Sequence, residues 1–277
     1  MPAWITLFTQ PSYLPGVRTL RKSLENTRTR YPLVVMVTEN IDEHSRRLLT
    51  DEGCLVRQVK PVAPRSGVPG NYANPRFSEV WTKLAAWRIT EFGRLAFVDA
   101  DMLAMKNIDE VFDFPLPDGH IAACHACRCN PHRIATYPRD WVPANCYYSY
   151  LPEHNGAPLP RRFSPYFNSG FMLLAPNDST ATELENKVAA ISDLAAYQFP
   201  EQDLLNEYFT GRWLPLPYIY NALKTLSVQH ASLWNIFEVK NLHYILSKPW
   251  QDNNGKDDNN PYNELHQLWW KTYRQIG

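Results

Sequence analysis

The sequence has no excess of either charge: 28 Lys plus Arg balance 28 Asp plus Glu over 277 residues. No general field therefore draws the chain to nucleic acid or to an anionic membrane surface. It also lacks an apolar run of roughly 18 residues, so no membrane span is expected. The opening stretch, MPAWITLFTQ, has no basic region and turns strand-like at once, which argues against a secretory signal. Glycine is scarce, at 11 against 23 Pro, and no Gly-rich phosphate loop follows the first apolar run, which speaks against a sugar nucleotidyltransferase. The five cysteines form an odd count, which suits reduced thiols and a cytoplasmic location.

Aromatic residues are plentiful at 13% of the chain. They fill cores and also make the walls on which bases and sugars stack. Apolar runs over Trp4–Thr9, Leu33–Thr38 and Cys54–Val59 alternate with helical patterns, the first from Val17, Leu20 and Leu24 behind Pro15, the second over Asp42–Asp51. This β-α-β-α-β opening predicts an α/β fold with a parallel, helix-covered sheet. Val80, Leu84 and Trp87 keep helical rhythm, with Lys83 on the same side. Further on, Asn168–Ala175 and Glu238–Leu246 are expected as strands, and Thr180–Tyr197, Gln202–Phe209 and Pro261–Gln275 as helices. The segment 125–167 has no period, and so long an irregular stretch is commonly a binding loop. It is the expected acceptor or lid loop, with Trp141, Tyr147 and Tyr148 as its wall.

The chemistry centres on RLAFVDADMLAM, where an apolar run ends in Asp99 and Asp101 with only Ala100 between them. A run buried on both faces has no partner for acids, so they belong past its C-terminal edge, where open α/β sheets keep their ligands. Paired carboxylates there offer hard oxygens to a divalent cation. The other candidates are individually weaker. Thr9, Gln10 and Tyr13 follow the first strand, where a ring can stack on a base; an ordinary polar turn explains them as well. Lys83 either snorkels or meets phosphates. Asn168, Ser169 and Gly170 open a strand, and Glu201 and Gln202 open a helix that plain capping by acids would also explain. His243 leaves the last strand just before Lys248. A nitrogen added to carboxylate oxygens suits Mn²⁺ somewhat better than Mg²⁺.

Taken in order, Thr9…Tyr13, Thr82-Lys83-Leu84, Asp99-Ala100-Asp101, Phe167-Asn168-Ser169-Gly170, Glu201–Asn206 and His243…Lys248-Pro249-Trp250 resemble glycosyltransferase family 8 from about Trp4 to Trp250. The resemblance implies a GT-A fold: a mixed, mostly parallel sheet flanked by helices, in one domain. Residues 1–250 would be catalytic, and 251–277, a polar loop and C-terminal helix, would pack on the same domain. It also implies a retaining transfer of a hexose from a UDP-sugar, dependent on Mn²⁺ or Mg²⁺, to a small-molecule, glycan or lipid acceptor, with a homodimer left open. Asp99, Asp101 and His243 would be the metal ligands. Thr9, Gln10, Tyr13 and Ala100 would line the uridine side, Arg76, Lys83, Asn168 and Ser169 the sugar and phosphates. Glu201, Gln202 and Lys248 would be the catalytic residues, the last stabilising the leaving diphosphate.

The chain departs from the family pattern in places. Gln10 stands where Asn is frequent and Glu201 where Asp is commoner. Leu246 stands where many members have Gly, and one residue is missing before Lys248. Leu226–Gln229 has no Tyr of the kind that self-priming members glycosylate, so self-priming is not expected. A glycoside hydrolase would use two facing carboxylates without a metal, and an inactive member of the fold would bind sugar without turnover. Cys124, Cys127 and Cys129, with His125, His132 and Cys146, fit no common zinc spacing well, so plain buried thiols rank ahead of zinc or a disulfide.

Overall fold

The computed structural model describes residues 1–69, 79–154, 163–251 and 259–277. The strands, in chain order, are β1 (Pro2–Phe8), β2 (Leu33–Val37), β3 (Leu55–Gln58), β4 (Arg94–Val98), β5 (Met102–Ala104), β6 (Ile121–His125), β7 (Phe167–Leu174), β8 (Trp213–Leu216), β9 (Ala222–Leu223) and β10 (Asn241–His243). The α-helices are α1 (Leu14–Asn26), α2 (Glu43–Asp51), α3 (Tyr147–His154), α4 (Asp178–Ala189), α5 (Pro200–Tyr208), α6 (Leu226–Gln229) and α7 (Asn263–Tyr273).

Seven strands form one sheet in the order β3-β2-β1-β4-β7-β6-β8. Within it β7 pairs antiparallel with β4 and β6, and every other pairing is parallel. The expected mixed, mostly parallel sheet is therefore present. Its residues are apolar on both sides. Ala3, Ile5, Met36 and Phe97 pack into one layer with Leu84, Leu184 and Leu205, while Trp4, Val35, Ala96 and Val98 pack into the other with Val17, Leu20 and Leu49. Neither face is left to solvent, which is why these strands read as continuous apolar runs.

The segment expected as an amphipathic helix around Lys83 is instead a 3₁₀ helix over Val80–Arg88. Trp81 to Trp87 are all buried in it. A segment enclosed on every side needs no polar stripe, so its apolar rhythm could not report the helix type. The late strand is shorter than expected, because among the described residues β10 pairs with the short β5 and β9 alone. The pattern of residues 125–167 also hid a helix, α3. Residues 251–277 end in α7, whose Trp269 stacks on Tyr273 with ring centroids 5.1 Å apart. Beyond that helix, Gln275 accepts a hydrogen bond from Asn26 at the end of α1, at 2.8 Å.

Candidate active site and metal centre

Strand β4 delivers Asp99 to the edge of the large sheet, and a tight turn follows in which the Met102 amide donates to the Asp99 carbonyl at 3.1 Å. That turn starts β5, which pairs antiparallel with β10 so that Met102 lies opposite His243. The Tyr244 amide closes it by donating to the Asp101 carbonyl at 2.9 Å. Two residues more than 140 positions apart in sequence thus become neighbours through three residues of strand pairing. His243 Nε2 lies 3.2 Å from Asp101 Oδ1 and 3.8 Å from Asp99 Oδ2. One donor atom from each of the three residues lies within 4.8 Å of the others.

A relay of amides fixes which imidazole nitrogen faces the acids. The Gly170 amide donates to Asn168 Oδ1 at 3.0 Å, so that atom is an acceptor. Asn221 Nδ2 donates to the same oxygen at 2.8 Å, which turns Asn221 Oδ1 toward His243. At 2.8 Å from that oxygen, His243 Nδ1 must carry the hydrogen. In the neutral ring the Nε2 lone pair then points at two carboxylates. Three lone-pair donors converging in this way repel one another unless a proton or a cation sits between them. The donor set fits a divalent cation that accepts both carboxylate and imidazole.

Gly170 is required at this point for room. A Cβ there would fall 2.5 Å from His243 Cε1 and 2.9 Å from Asp99 Oδ2. The close approach therefore comes from the His243 and Asp99 side chains, where the sequence suggested a sugar. Gly16 plays a similar part behind the turn, since a Cβ on it would meet the Ala100 carbonyl at 2.7 Å and the Trp250 ring at 2.8 Å.

Two lysines neutralise the acids. Lys83 Nζ lies 3.0 Å from Asp99 Oδ1 and 3.0 Å from Glu201 Oε1, over the Phe97 ring. Burial works to lower its pKa, but the two carboxylates outweigh burial and raise it. Lys248 is ion-paired with Asp101 and donates to the Tyr244 carbonyl at 3.0 Å. Burial opposes ionisation of Asp101, yet the Lys248 ammonium and His243 hold its carboxyl well below the usual range. Burial pushes Asp99 the other way, only partly countered by Lys83. The two acids are therefore electrostatically unlike.

Helix α5 points its first turn at the same place. Pro200 occupies the start of the helix, where no amide hydrogen is needed. Asp203 does the capping, accepting from the Phe199 amide at 2.7 Å. Glu201 and Gln202 are thereby freed for the site. Ser169 Oγ donates to Glu201 Oε1 at 3.0 Å. Gln202 Oε1 accepts from the Ser169 amide at 3.1 Å and from Asn168 Nδ2 at 3.0 Å, while Gln202 Nε2 donates to the Tyr166 hydroxyl at 3.0 Å. Tyr166 in turn donates to Asp203, whose pKa burial pushes up to about 6.

One cleft is lined by Thr9, Gln10, Tyr13, Lys83, Asp99, Ala100, Asp101, Asn168, Ser169, Glu201, Gln202, His243 and Lys248. Of the expected site residues, only Arg76 is not among them; it lies outside the described residues. Tyr13 sits edge-on to Trp250 with ring centroids 5.4 Å apart. The expected aromatic wall divides. Trp141 lines the cleft and stacks on Phe199 with ring centroids 4.6 Å apart. Tyr147 stacks instead on His125, and buried Tyr148 donates to the His125 carbonyl at 2.6 Å, so both belong to packing. From sequence alone Asn221, Tyr166 and Asp203 carried no individual role, although Asp203 falls within the Glu201–Asn206 motif. Partners lie 22 to 53 positions away for Asn221 and 36 to 37 for Tyr166, so no local spacing could reveal those two.

Comparison with known proteins gives this geometry a context. The family model described as glycosyl transferase family 8 matches residues 4–254. Galactinol synthase 1 of Solanum lycopersicum is 30% identical over 271 residues, covering 94% of this chain and 78% of that protein. Galactinol synthase 1 of Arabidopsis thaliana is 31% identical over 269 residues, covering 94% and 75%. The solved structure of the galactosyltransferase LgtC with donor and acceptor sugar analogs has a TM-score of 0.62 at 19% identity, over 98% of this chain and 96% of that one. That last likeness is one of fold.

Proposed function

The chain belongs to glycosyltransferase family 8, and from that premise we propose that it moves a hexose from a UDP-sugar to a hydroxyl acceptor, with retention at the anomeric carbon and Mn²⁺ at the Asp99–Asp101–His243 site. The galactinol synthases among its relatives favour galactose as the sugar. Residues 1–250 form the catalytic unit in this reading, with 125–167 on the acceptor side and 251–277 packed against it. The observation that carries it is the amide relay that turns the His243 Nε2 lone pair onto two carboxylates in the floor of the cleft.

A cation held by Asp99, Asp101 and His243 would supply positive charge to the diphosphate as the glycosidic bond breaks. Lys248 adds a fixed ammonium beside Asp101 and stabilises the departing UDP with it. Thr9, Gln10, Tyr13 and Ala100 line the side of the cleft that takes the uridine. Lys83 acts through Asp99 and Glu201, whose charges it balances, more than as a free phosphate ligand. Lys83 and Ser169 both hold Oε1 of Glu201 and draw charge from that carboxylate, which weakens it as a nucleophile. The Gln202 amide is weakly nucleophilic and is held by Asn168, Ser169 and Tyr166. Neither side chain is arranged for double displacement. The geometry supports attack by the acceptor hydroxyl on the face the leaving group departs from, its proton passing to the departing phosphate oxygen.

The test is a panel of UDP-glucose, UDP-galactose and UDP-N-acetylglucosamine with and without Mn²⁺, read by thermal shift, UDP release and NMR of the product anomer. Stabilisation that needs Mn²⁺, with an α-linked product from an α-linked donor, is the expected result. Glycoside cleavage in EDTA, or an inverted product, overturns it. So does a nucleotide-soaked crystal in which the three side chains share no ion. Binding of a UDP-sugar without UDP release across a broad acceptor panel would instead mark a binding member of the fold.

A further inference from the structure

Away from the carboxylates, three cysteines and a histidine converge on one point. Cys127 and Cys129 lie just after β6, Cys146 just before α3, and His230 just after α6. His230 Nε2 is 3.6 Å from Cys127 Sγ, 3.2 Å from Cys129 Sγ and 3.6 Å from Cys146 Sγ, and the Cys127 and Cys146 sulfurs are 3.9 Å apart. All four residues are at most 9% exposed. Cys124 is not part of the group, since its thiol donates to the Pro217 carbonyl. The ring of His125 packs on Tyr147, and that of His132 meets the Tyr262 hydroxyl.

We propose that Cys127, Cys129, Cys146 and His230 form a structural zinc site. Tetrahedral zinc has Zn–S of about 2.3 Å and Zn–N of about 2.0–2.1 Å, which puts sulfurs about 3.8 Å apart and sulfur about 3.6 Å from nitrogen. Three of the four separations above match that cage, the 3.2 Å from Cys129 to His230 is shorter, and all four ligand atoms lie within 4.8 Å of one another. The separations do not match disulfides, whose sulfurs are about 2.0 Å apart. Nor do they suit thiols packed as small apolar groups. Imidazole Nε2 offers a single lone pair, so it can accept from only one of three thiols aimed at it. A cation uses all four donors at once. The preference for plain thiols drawn from sequence spacing is thus reversed by geometry: the fourth ligand lies 84 positions beyond Cys146, where no local motif could include it.

Binding zinc requires the three thiols to give up their protons to solvent, leaving a cage of net charge −1. With four protein ligands and little exposure there is no open coordination position, so the ion holds structure and does not activate water. What it holds is the chain between Cys129 and Cys146. Asn130, Ile134, Tyr137 and Trp141 in that segment line the candidate active-site cleft. Asn130 and Arg133 there adopt left-handed backbone, with φ of 43° and 49°. The local apolar cluster is small, with Leu223 and Leu226 its buried aliphatic residues. A cross-link from that segment to the end of α6 supplies what this little core lacks. On the glycosyltransferase reading, the site sets the acceptor wall; the zinc claim itself does not depend on that reading.

The test measures zinc without any sugar. Full-length protein purified without chelator should carry close to one zinc per chain by inductively coupled plasma mass spectrometry. Cobalt exchanged into the wild type should give the thiolate-to-cobalt charge-transfer band of a tetrahedral site. Cys129→Ser and His230→Ala should lose the metal, while Cys124→Ser and Asp101→Asn keep it. Wild-type protein that takes up less than a tenth of an equivalent from added zinc, with all five thiols still open to a disulfide reagent, overturns the proposal. So does zinc retained in a Cys129→Ser/Cys146→Ser double variant. A disulfide among these cysteines in aerobically purified, zinc-free protein does so as well. If zinc is found and no sugar is transferred, only the glycosyltransferase reading fails.

Discussion

Among the described residues, two clusters bring an imidazole onto groups able to hold a metal ion, and they are built to opposite ends. Around His243 the partners are carboxylates, hard oxygens flanked by Lys83 and Lys248, at the floor of a cleft. Around His230 they are thiols, soft and closed in by Tyr148 and Leu226. Ligand softness and openness separate the roles. The oxygen site suits an exchangeable cation that travels with a phosphorylated substrate, and the sulfur site suits an ion bound once. The first needs a neutral imidazole oriented by Asn221. The second needs only that three chain segments arrive together.

The largest effect should come from the oxygen site. Asp101→Asn removes a charge that Lys248 and His243 are arranged around, and turnover should fall by about 10³-fold, the several kcal/mol that such electrostatic stabilisation supplies. Zinc content and the circular dichroism spectrum should stay unchanged. Wild-type turnover from that variant would remove the metal role from this pair. Asn221→Ala should be milder, raising the Mn²⁺ concentration for half-activity by about 10–100-fold as expected for loss of an orienting partner. High Mn²⁺ should restore most of kcat, whereas a purely structural defect would not respond to the ion.

His230→Ala should break the comparison from the other side. Its thermal midpoint should drop by about 5–10 °C, consistent with a few kcal/mol in a chain of this size. The acceptor KM should rise several-fold, with the Mn²⁺ requirement unaltered. A shift in Mn²⁺ affinity would mean that the two sites are coupled.

A smaller effect concerns pH. Asp203 is an acid whose pKa rises from 3.8 to about 6 on folding, mainly through burial. The folded chain therefore holds that proton more tightly than the unfolded one. The resulting stabilisation is complete below 3.8 and is lost as pH rises through about 6. Urea unfolding of Asp203→Asn across that window should lack this slope. In the wild type, kcat/KM should also decline below about 6, because protonation of Asp203 removes the charge that strengthens its hold on the Tyr166 hydroxyl, which in turn positions Gln202. A profile identical in the variant would exclude Asp203 from the relay.

The smallest effect lies at Leu246, whose backbone is left-handed with φ of 65°. The strain on a branched side chain in that conformation is about 1 kcal/mol. Leu246→Gly should leave stability unchanged or raise it by about that amount in denaturant titrations. A clear loss would show that the Leu246 side chain, which lines the cleft, outweighs the strain.

Much of the fold was legible because burial on both faces writes an unbroken apolar run: β1, β2, β4 and β7 stand near the positions their sequences indicated. Asp99 and Asp101 were legible for the complementary reason, since two acids ending such a run have nowhere to go but its edge. The 3₁₀ helix around Lys83 was not, because a wholly enclosed segment carries no face to read. Tyr147 and Tyr148 were misassigned to the cleft because an aromatic side chain serves packing and binding with the same composition.

The order of residues thus determined the layered α/β sheet, the acids at its rim and the family to which the chain belongs. Tertiary structure decided which imidazole nitrogen faces those acids, and which of the cysteines share a point with His230. Both outcomes hang on contacts between distant segments, Asn221 with His243 in one case and Cys146 with His230 in the other. Local periodicity records how a segment is buried; it carries no record of which remote side chain will meet it.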